Sequence, residues 1–190
     1  MVATPKFAHV VLQTNNLEQM RNWYCTLLDG HVVFEGHGLS FVTFDDEHHR
    51  IAFMAPPVPL EPKSPSATGM HHVAYTFASL DDLLERYSTL KEQDIEPHVP
   101  IQHGVTTSLY YRDPDGNFVE MQVDNFADPE AATAYMEGPE YGADPIGVSF
   151  DPEQMLAARA AGTTEQRLIT REWALATSPD LPSPLVALTR

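Results

Sequence analysis

Nine histidines in an acidic chain of 190 residues exceed what packing requires. Two of them, His9 and His72, open stretches that read alike: His9-Val10-Val11-Leu12 and His72-Val73-Ala74-Tyr75. Glu120 lies further on, between Val119 and Met121 in an apolar run. Two imidazoles and one carboxylate on adjacent strands make the facial set that grips one side of a non-haem Fe(II) ion and leaves its other positions open. A lone histidine at a strand end is more often a hydrogen-bonded core group, and a lone glutamate at an edge is more often solvated. Two histidines in register within a repeat, with a carboxylate inside an apolar strand, favour the ligand reading. His71 competes with His72 for that role, and alignment with His9 favours His72.

These residues must be positioned by strands and turns. Asp113-Pro114-Asp115-Gly116-Asn117 is a strong turn signal, because Pro presets φ and Gly and Asn tolerate positive φ. The flanking residues, 107–112 and 118–124, suit strands. If the turn centres on Asp115, Tyr110 falls opposite Glu120, and opposed residues share one face of a sheet. A slip of one residue would separate them.

The same pattern occurs earlier in the chain. Aligning His9 with His72 also brings Leu17 onto Leu80 and Met20 onto Leu83. In the first copy a strand over 6–14 leads, through Asn15 as a helix cap, to a helix over 17–28 ended by Asp29-Gly30. Strands follow at 31–35, 39–44 and 50–55, the last two joined by a turn at Asp45-Asp46-Glu47. Counting from that turn puts Ala52 where the second copy has Glu120, so only one copy carries a closing carboxylate. In the second copy Asp81 or Asp82 caps a helix to about Gln93, before strands near 95–99, 106–112 and 118–124. The expected fold class is α+β: two βαβββ modules (6–55 and 69–124) pairing into a half-open β-barrel, plus a helical C-terminal tail. Pro56, Pro57, Pro59, Pro62 and Pro65 make 56–68 an extended linker, since proline cannot donate within a ladder.

The repeat stops at Asn125. Asp128-Pro129 and Asp151-Pro152 each supply an N-cap followed by Pro at the first helical position, opening helices over 129–137 and 152–161. Gly162 is the expected C-cap of the second, 164–174 a further short helix, and 178–190 a Pro-rich irregular end. Such a tail can cover a sheet edge, wrap a second subunit or close over a pocket. Residues 1–5 read as a short disordered lead.

A formal charge of −16 argues against nucleic acid or an anionic membrane as partner. No basic-then-apolar leader and no membrane-length apolar run are readable. The single cysteine, Cys25, falls in a helical pattern and reads as a structural thiol in a reducing compartment, so a cytoplasmic location is expected. Sheet edges left by one pair of modules need cover, so a homo-oligomer is expected.

Together the motifs resemble the vicinal-oxygen-chelate superfamily, and within it the type I extradiol catechol dioxygenases. The resemblance covers about residues 6–124. Besides the two histidine strands and the run from Tyr110 to Glu120, it rests on His48-His49-Arg50-Ile51-Ala52-Phe53 and His103-Gly104-Val105-Thr106. It implies Fe(II), or Mn(II) in its place, held by His9, His72 and Glu120. It further implies His49 as an acid and base, His103 as a hydrogen-bond partner of the substrate oxygen, and Tyr110 as a residue that orients substrate and stabilises later charge. The implied substrates are a small aromatic diol and O2, with both oxygen atoms inserted into the diol as its ring is cleaved. The chain departs from the common members, which carry a second pair of modules, and its spacing from His103 to Tyr110 is shorter. Two other functions share this fold. A glyoxalase-type isomerase, epimerase or lyase usually takes a ligand from the last strand of both modules, where this chain has Ala52. A metal-free binding protein would not need His9, His72 and Glu120 together.

Overall fold

Buried residues at i, i+4 and i+7 drive the first helix, α1 (Leu17–Leu28), which sinks Met20, Tyr24 and Leu27 into the core. The computed structural model describes residues 3–64 and 66–189. Pro65 of the linker, Met1 and Val2 of the lead and Arg190 of the tail lie outside the described residues. The chain divides into two units, Met1–Ala67 with Asp113–Asn117, and Thr68–Arg112 with Phe118–Arg190.

In the first unit α1 packs on a mixed sheet of β1 (Val10–Gln13), β2 (His31–Gly36), β3 (Leu39–Thr43) and β4 (Ile51–Met54), in the order β1-β4-β3-β2. Val42, Ile51 and Phe53 complete its core. β1 runs parallel to β4 with Val11 opposite Ala52. The helix ends on Asp29 in the left-handed region (φ 53°), with the Gly30 N–H bonded to the Cys25 carbonyl at 2.9 Å. A Cβ at Gly30 would stand 2.9 Å from the Thr43 carbonyl oxygen, so helix and sheet approach as closely as only glycine allows. The N-cap is Asn16 rather than the expected Asn15. Asn15 instead bonds both backbone groups of Leu60, at 3.0 and 2.9 Å, and so ties down the linker. The turn Asp113–Asn117 belongs to this unit, where the Asp113 carboxylate accepts from the N–H groups of Asp115 and Asn117, the Asn117 amide and the Tyr24 hydroxyl.

The second unit repeats the plan. β5 (His72–Thr76), followed in the chain by α2 (Leu80–Lys91), forms a sheet with β6 (Val99–Gln102), β7 (Thr106–Arg112) and β8 (Phe118–Asp124) that a short ninth strand, β9 (Val148–Ser149), extends to the order β5-β8-β7-β6-β9. The cap of α2 is Ser79, not Asp81 or Asp82. Its hydroxyl accepts from the Asp82 N–H at 3.2 Å and donates to the Asp82 carboxylate at 2.6 Å, so one side chain caps the helix and is itself held by the first turn. The strand expected near 95–99 begins at Val99, because Pro97 lacks a donor and the chain enters the ladder only with the His98 N–H bonded to the Tyr110 carbonyl. Both sheets are open and mixed, and helices follow the second, as the α+β expectation requires.

The tail covers an edge: β9 pairs antiparallel with β6, Ile101 opposite Ser149 and Gln102 opposite Val148. The Asp-Pro signals open α3 (Pro129–Met136) and α5 (Pro152–Ala160), and the Asp128 and Asp151 side chains cap them. A further helix, α4 (Pro139–Ala143), was not expected. Gly162 (φ 92°) stands one residue beyond the C-cap, Ala161. The single helix expected over 164–174 is two, α6 (Glu165–Leu168) and α7 (Arg171–Thr177), broken where Thr170 caps the second. The expected irregular end holds one more, α8 (Pro184–Leu188). Among the described residues no helix is long and apolar enough to cross a membrane.

Candidate active site

The register of β7 with β8 places Tyr110 directly opposite Glu120, as counting out from the turn requires. On the other side of β8, parallel β5 sets Ala74 opposite Glu120, so His72, two residues earlier, points to the same face. Three strands thus bring an imidazole, a carboxylate and a phenol together. The His72 Nε2 lies 3.0 Å from Glu120 Oε2. His103, in the loop after β6, places its Nε2 3.1 Å from the Tyr110 hydroxyl and 3.9 Å from Glu120 Oε1. Glu120 and Tyr110 are buried.

Environment tunes each group. Burial alone would push the Glu120 carboxyl up, but hydrogen bonds from His72 and Ser108 and the nearby imidazoles hold it below the ordinary glutamate value. Glu120 therefore stays an anion at neutral pH. Burial lowers the His103 pKa, with Arg171 pushing the same way against the opposing pull of Glu120 and a hydrogen bond to the Ile146 backbone. Burial first, then the Glu120 charge, raises Tyr110, which remains a protonated phenol. Ser108 was not singled out in the sequence. It lies two residues from Tyr110 on the same strand, and strand alternation was the signal that could have found it.

The fit to a metal can be tested on these atoms. Two donors about 2.1 Å from one ion and at right angles stand about 3.0 Å apart, which is the separation of His72 Nε2 and Glu120 Oε2. Imidazole nitrogen with carboxylate oxygen is a donor set that Fe(II) accepts. Among the described residues no group of three His, Cys, Asp or Glu side chains is gathered closely enough to hold a metal.

His9 and His49 belong to the first unit. His9 immediately precedes β1 and is exposed. Its ring centroid is 4.3 Å from that of His49, which is buried and stacked on Phe41 at 4.7 Å. His48 points outward and pairs with Glu47 at 2.9 Å. Burial, then the neighbouring His48 and His9, lowers the His49 pKa, and its Nδ1 is buried with no hydrogen-bond partner. A neutral imidazole with an unused buried nitrogen suits proton transfer. Val11 opposite Ala52 repeats the relation of Ala74 to Glu120, so the first module presents a methyl group where the second presents its carboxylate.

The His103 loop is held from the tail. The Arg171 guanidinium donates to the His103 backbone carbonyl and lies 6.0 Å and 5.8 Å from the ring centres of Tyr135 and Tyr141. Gly104 (φ 90°) admits Tyr135, whose hydroxyl would be 2.1 Å from any Cβ there. Replacing Arg171 by alanine removes a charged hydrogen bond from a buried site and is expected to cost about 1.5–3 kcal/mol. Urea denaturation measures this directly, and an unchanged midpoint would contradict the clamp.

The family model described as Glyoxalase/Bleomycin resistance protein/Dioxygenase superfamily matches residues 6–121. The chain is 66% identical over 189 residues, 100% of each chain, to Biphenyl-2,3-diol 1,2-dioxygenase 2 of Rhodococcus globerulus. It is 53% identical over 178 residues, 93% of this chain and 94% of the relative, to Biphenyl-2,3-diol 1,2-dioxygenase 3 of the same organism. A solved glyoxylase/bleomycin resistance protein/dioxygenase domain from Frankia sp. EAN1pec superposes with a TM-score of 0.52 at 18% identity, covering 66% of this chain and 96% of that one, and shares the fold. Two βαβββ modules, the matching family model and full-length relatives agree, and the chain belongs to the glyoxalase/bleomycin resistance protein/dioxygenase superfamily.

Proposed function

We propose that this chain is an extradiol ring-cleaving dioxygenase of aromatic-compound degradation, acting on a catechol-type diol of the biphenyl-2,3-diol class. The observation that carries this is the 66% identity along the whole chain to a biphenyl-2,3-diol 1,2-dioxygenase. The cluster of His72, Glu120, His103 and Tyr110 on one sheet face supports it with chemistry. His72 and Glu120 are the proposed ligands of Fe(II), for which Mn(II) can substitute, and His9 is the third by its equivalence to His72 in the repeat. Iron(II) in that ligand set supplies open positions for diol and O2 and a route for electrons between them.

The protein's own groups manage protons and charge. His49, kept neutral by burial, accepts a proton from a diol hydroxyl and later returns it as the ring opens. His103 and Tyr110, bonded at 3.1 Å, hold and deliver hydrogen bonds to oxygens that gain negative charge. The overall reaction is balanced without an external reductant: one diol and one O2 give one ring-opened product bearing a carboxylate and a carbonyl, and both oxygen atoms end in it. The single cysteine, Cys25, suits a reducing compartment, and the cytoplasm is the proposed location. β2 is an edge strand with Val32, Val33 and Phe34 exposed, which supports self-association through that edge.

The test is anaerobic loading with Fe(II), then addition of biphenyl-2,3-diol and air. Yellow product formed mole for mole with O2 consumed is the expected result. Bound iron with no O2 uptake on any diol of a small panel would refute the proposal.

A further inference from the structure

His71, beside the proposed ligand His72, is used by nothing described so far. Its ring stacks on Phe118 with centroids 5.2 Å apart and planes 18° from parallel. Its Nε2 lies 3.1 Å from the Leu188 carbonyl oxygen of α8, and its Nδ1 lies 2.8 Å from the Nδ1 of His72. Resting on the metal-ligand reading above, we propose that His71 is a positioning residue that fixes the tautomer of His72, with the C-terminal helix as its anchor.

The chain of donors and acceptors has one consistent assignment for neutral rings. A carbonyl oxygen can only accept, so the proton of His71 sits on Nε2. The Nδ1 of His71 then carries a lone pair and accepts, so the proton of His72 sits on its own Nδ1. The Nε2 of His72 is left with a lone pair, 3.0 Å from the ionised Glu120 Oε2. Two acceptors facing each other at that distance are satisfied by a metal cation between them or, in the metal-free protein, by a further proton on His72 Nε2 donated to Glu120. Ligating histidines are commonly fixed this way through the second ring nitrogen, by a carboxylate, a carbonyl or water. Here a second imidazole transmits the effect of a carbonyl. α8 is itself seated, since Ala187 and Leu188 pack against the buried cluster of Val99, Ile101, Tyr110 and Phe118. The tail therefore reaches the proposed ligand through a side chain as well as covering an edge.

The metal-free protein, labelled with 15N, reports the tautomers directly through long-range proton–nitrogen spectra of the rings. The expected result is a proton on Nδ1 of His72 and on Nε2 of His71. A His72 whose Nδ1 carries no proton overturns the relay. His71→Phe keeps the stacking on Phe118 and removes the acceptor. It is expected to shift His72 away from the Nδ1-protonated form and to weaken Fe(II) binding, titrated anaerobically, by about 10- to 100-fold. His71→Gln, whose amide can accept from His72 and donate to Leu188, is expected to recover most of that affinity. A Phe variant that binds Fe(II) as tightly as the parent overturns the relay alone. A parent that takes up no Fe(II) overturns the ligand reading itself, and the parent's ring spectrum still decides the relay.

Discussion

Replacing Glu120 with glutamine is expected to lower kcat/KM for ring cleavage by at least about 10³-fold, about 4 kcal/mol of transition-state stabilisation. Glutamine keeps the size of the side chain but removes the negative charge that His72 and Ser108 maintain against burial. The first module cannot substitute, because Ala52 occupies the equivalent position. Iron content should fall with activity, which separates loss of a ligand from loss of a charge that only orients substrate. A glutamine variant holding a full complement of iron and more than a tenth of the activity would remove Glu120 from the ligand set. The same asymmetry argues against the isomerase or lyase reading, which expects a ligand from both last strands.

His49→Phe carries the second large effect. Phenylalanine preserves stacking on Phe41, so the fold should survive, while the buried, unpartnered Nδ1 of His49 is lost. The expected loss is about 10²- to 10⁴-fold in kcat with KM little changed, the range for removing a general acid–base group. The pH profile makes the assignment specific. The active base is the neutral ring, and burial lowers its pKa, so the group stays neutral to more acid pH than a free imidazole. The acid limb of kcat/KM in the parent should therefore lie below about 6.5 and be absent from the variant. An unchanged acid limb in His49→Phe would assign it to another residue.

Much of the site could be read in advance because its spacing is short and local. The Asp113–Asn117 turn fixes the hairpin register, and register alone puts Tyr110 across from Glu120. The repeat carries His9 onto His72 and Ala52 onto Glu120 without reference to any contact. The span of helix α1 was legible, since its apolar spacing and its Asp29-Gly30 stop agree, whereas its cap, Asn16, was not. What escaped is non-local or too short to leave a period. β9 is two residues long and exists because β6 offers it an edge. Arg171 reaches the His103 carbonyl from 68 residues away, a pairing no window along the chain contains. Ser79 caps α2 with its hydroxyl just ahead of the acidic pair Asp81-Asp82, which reads as the cap itself. In the sequence His71 reads only as a rival to His72, whereas its two ring contacts point to a supporting role.

The central claim, that this chain opens a catechol ring with dioxygen, is tested most directly by turnover of biphenyl-2,3-diol under 18O2 with the Fe(II)-loaded protein. The account predicts a ring-opened product whose mass spectrum, taken before exchange with water, carries both labelled atoms. A product that retains the intact ring, or an opened one with no label, would contradict it.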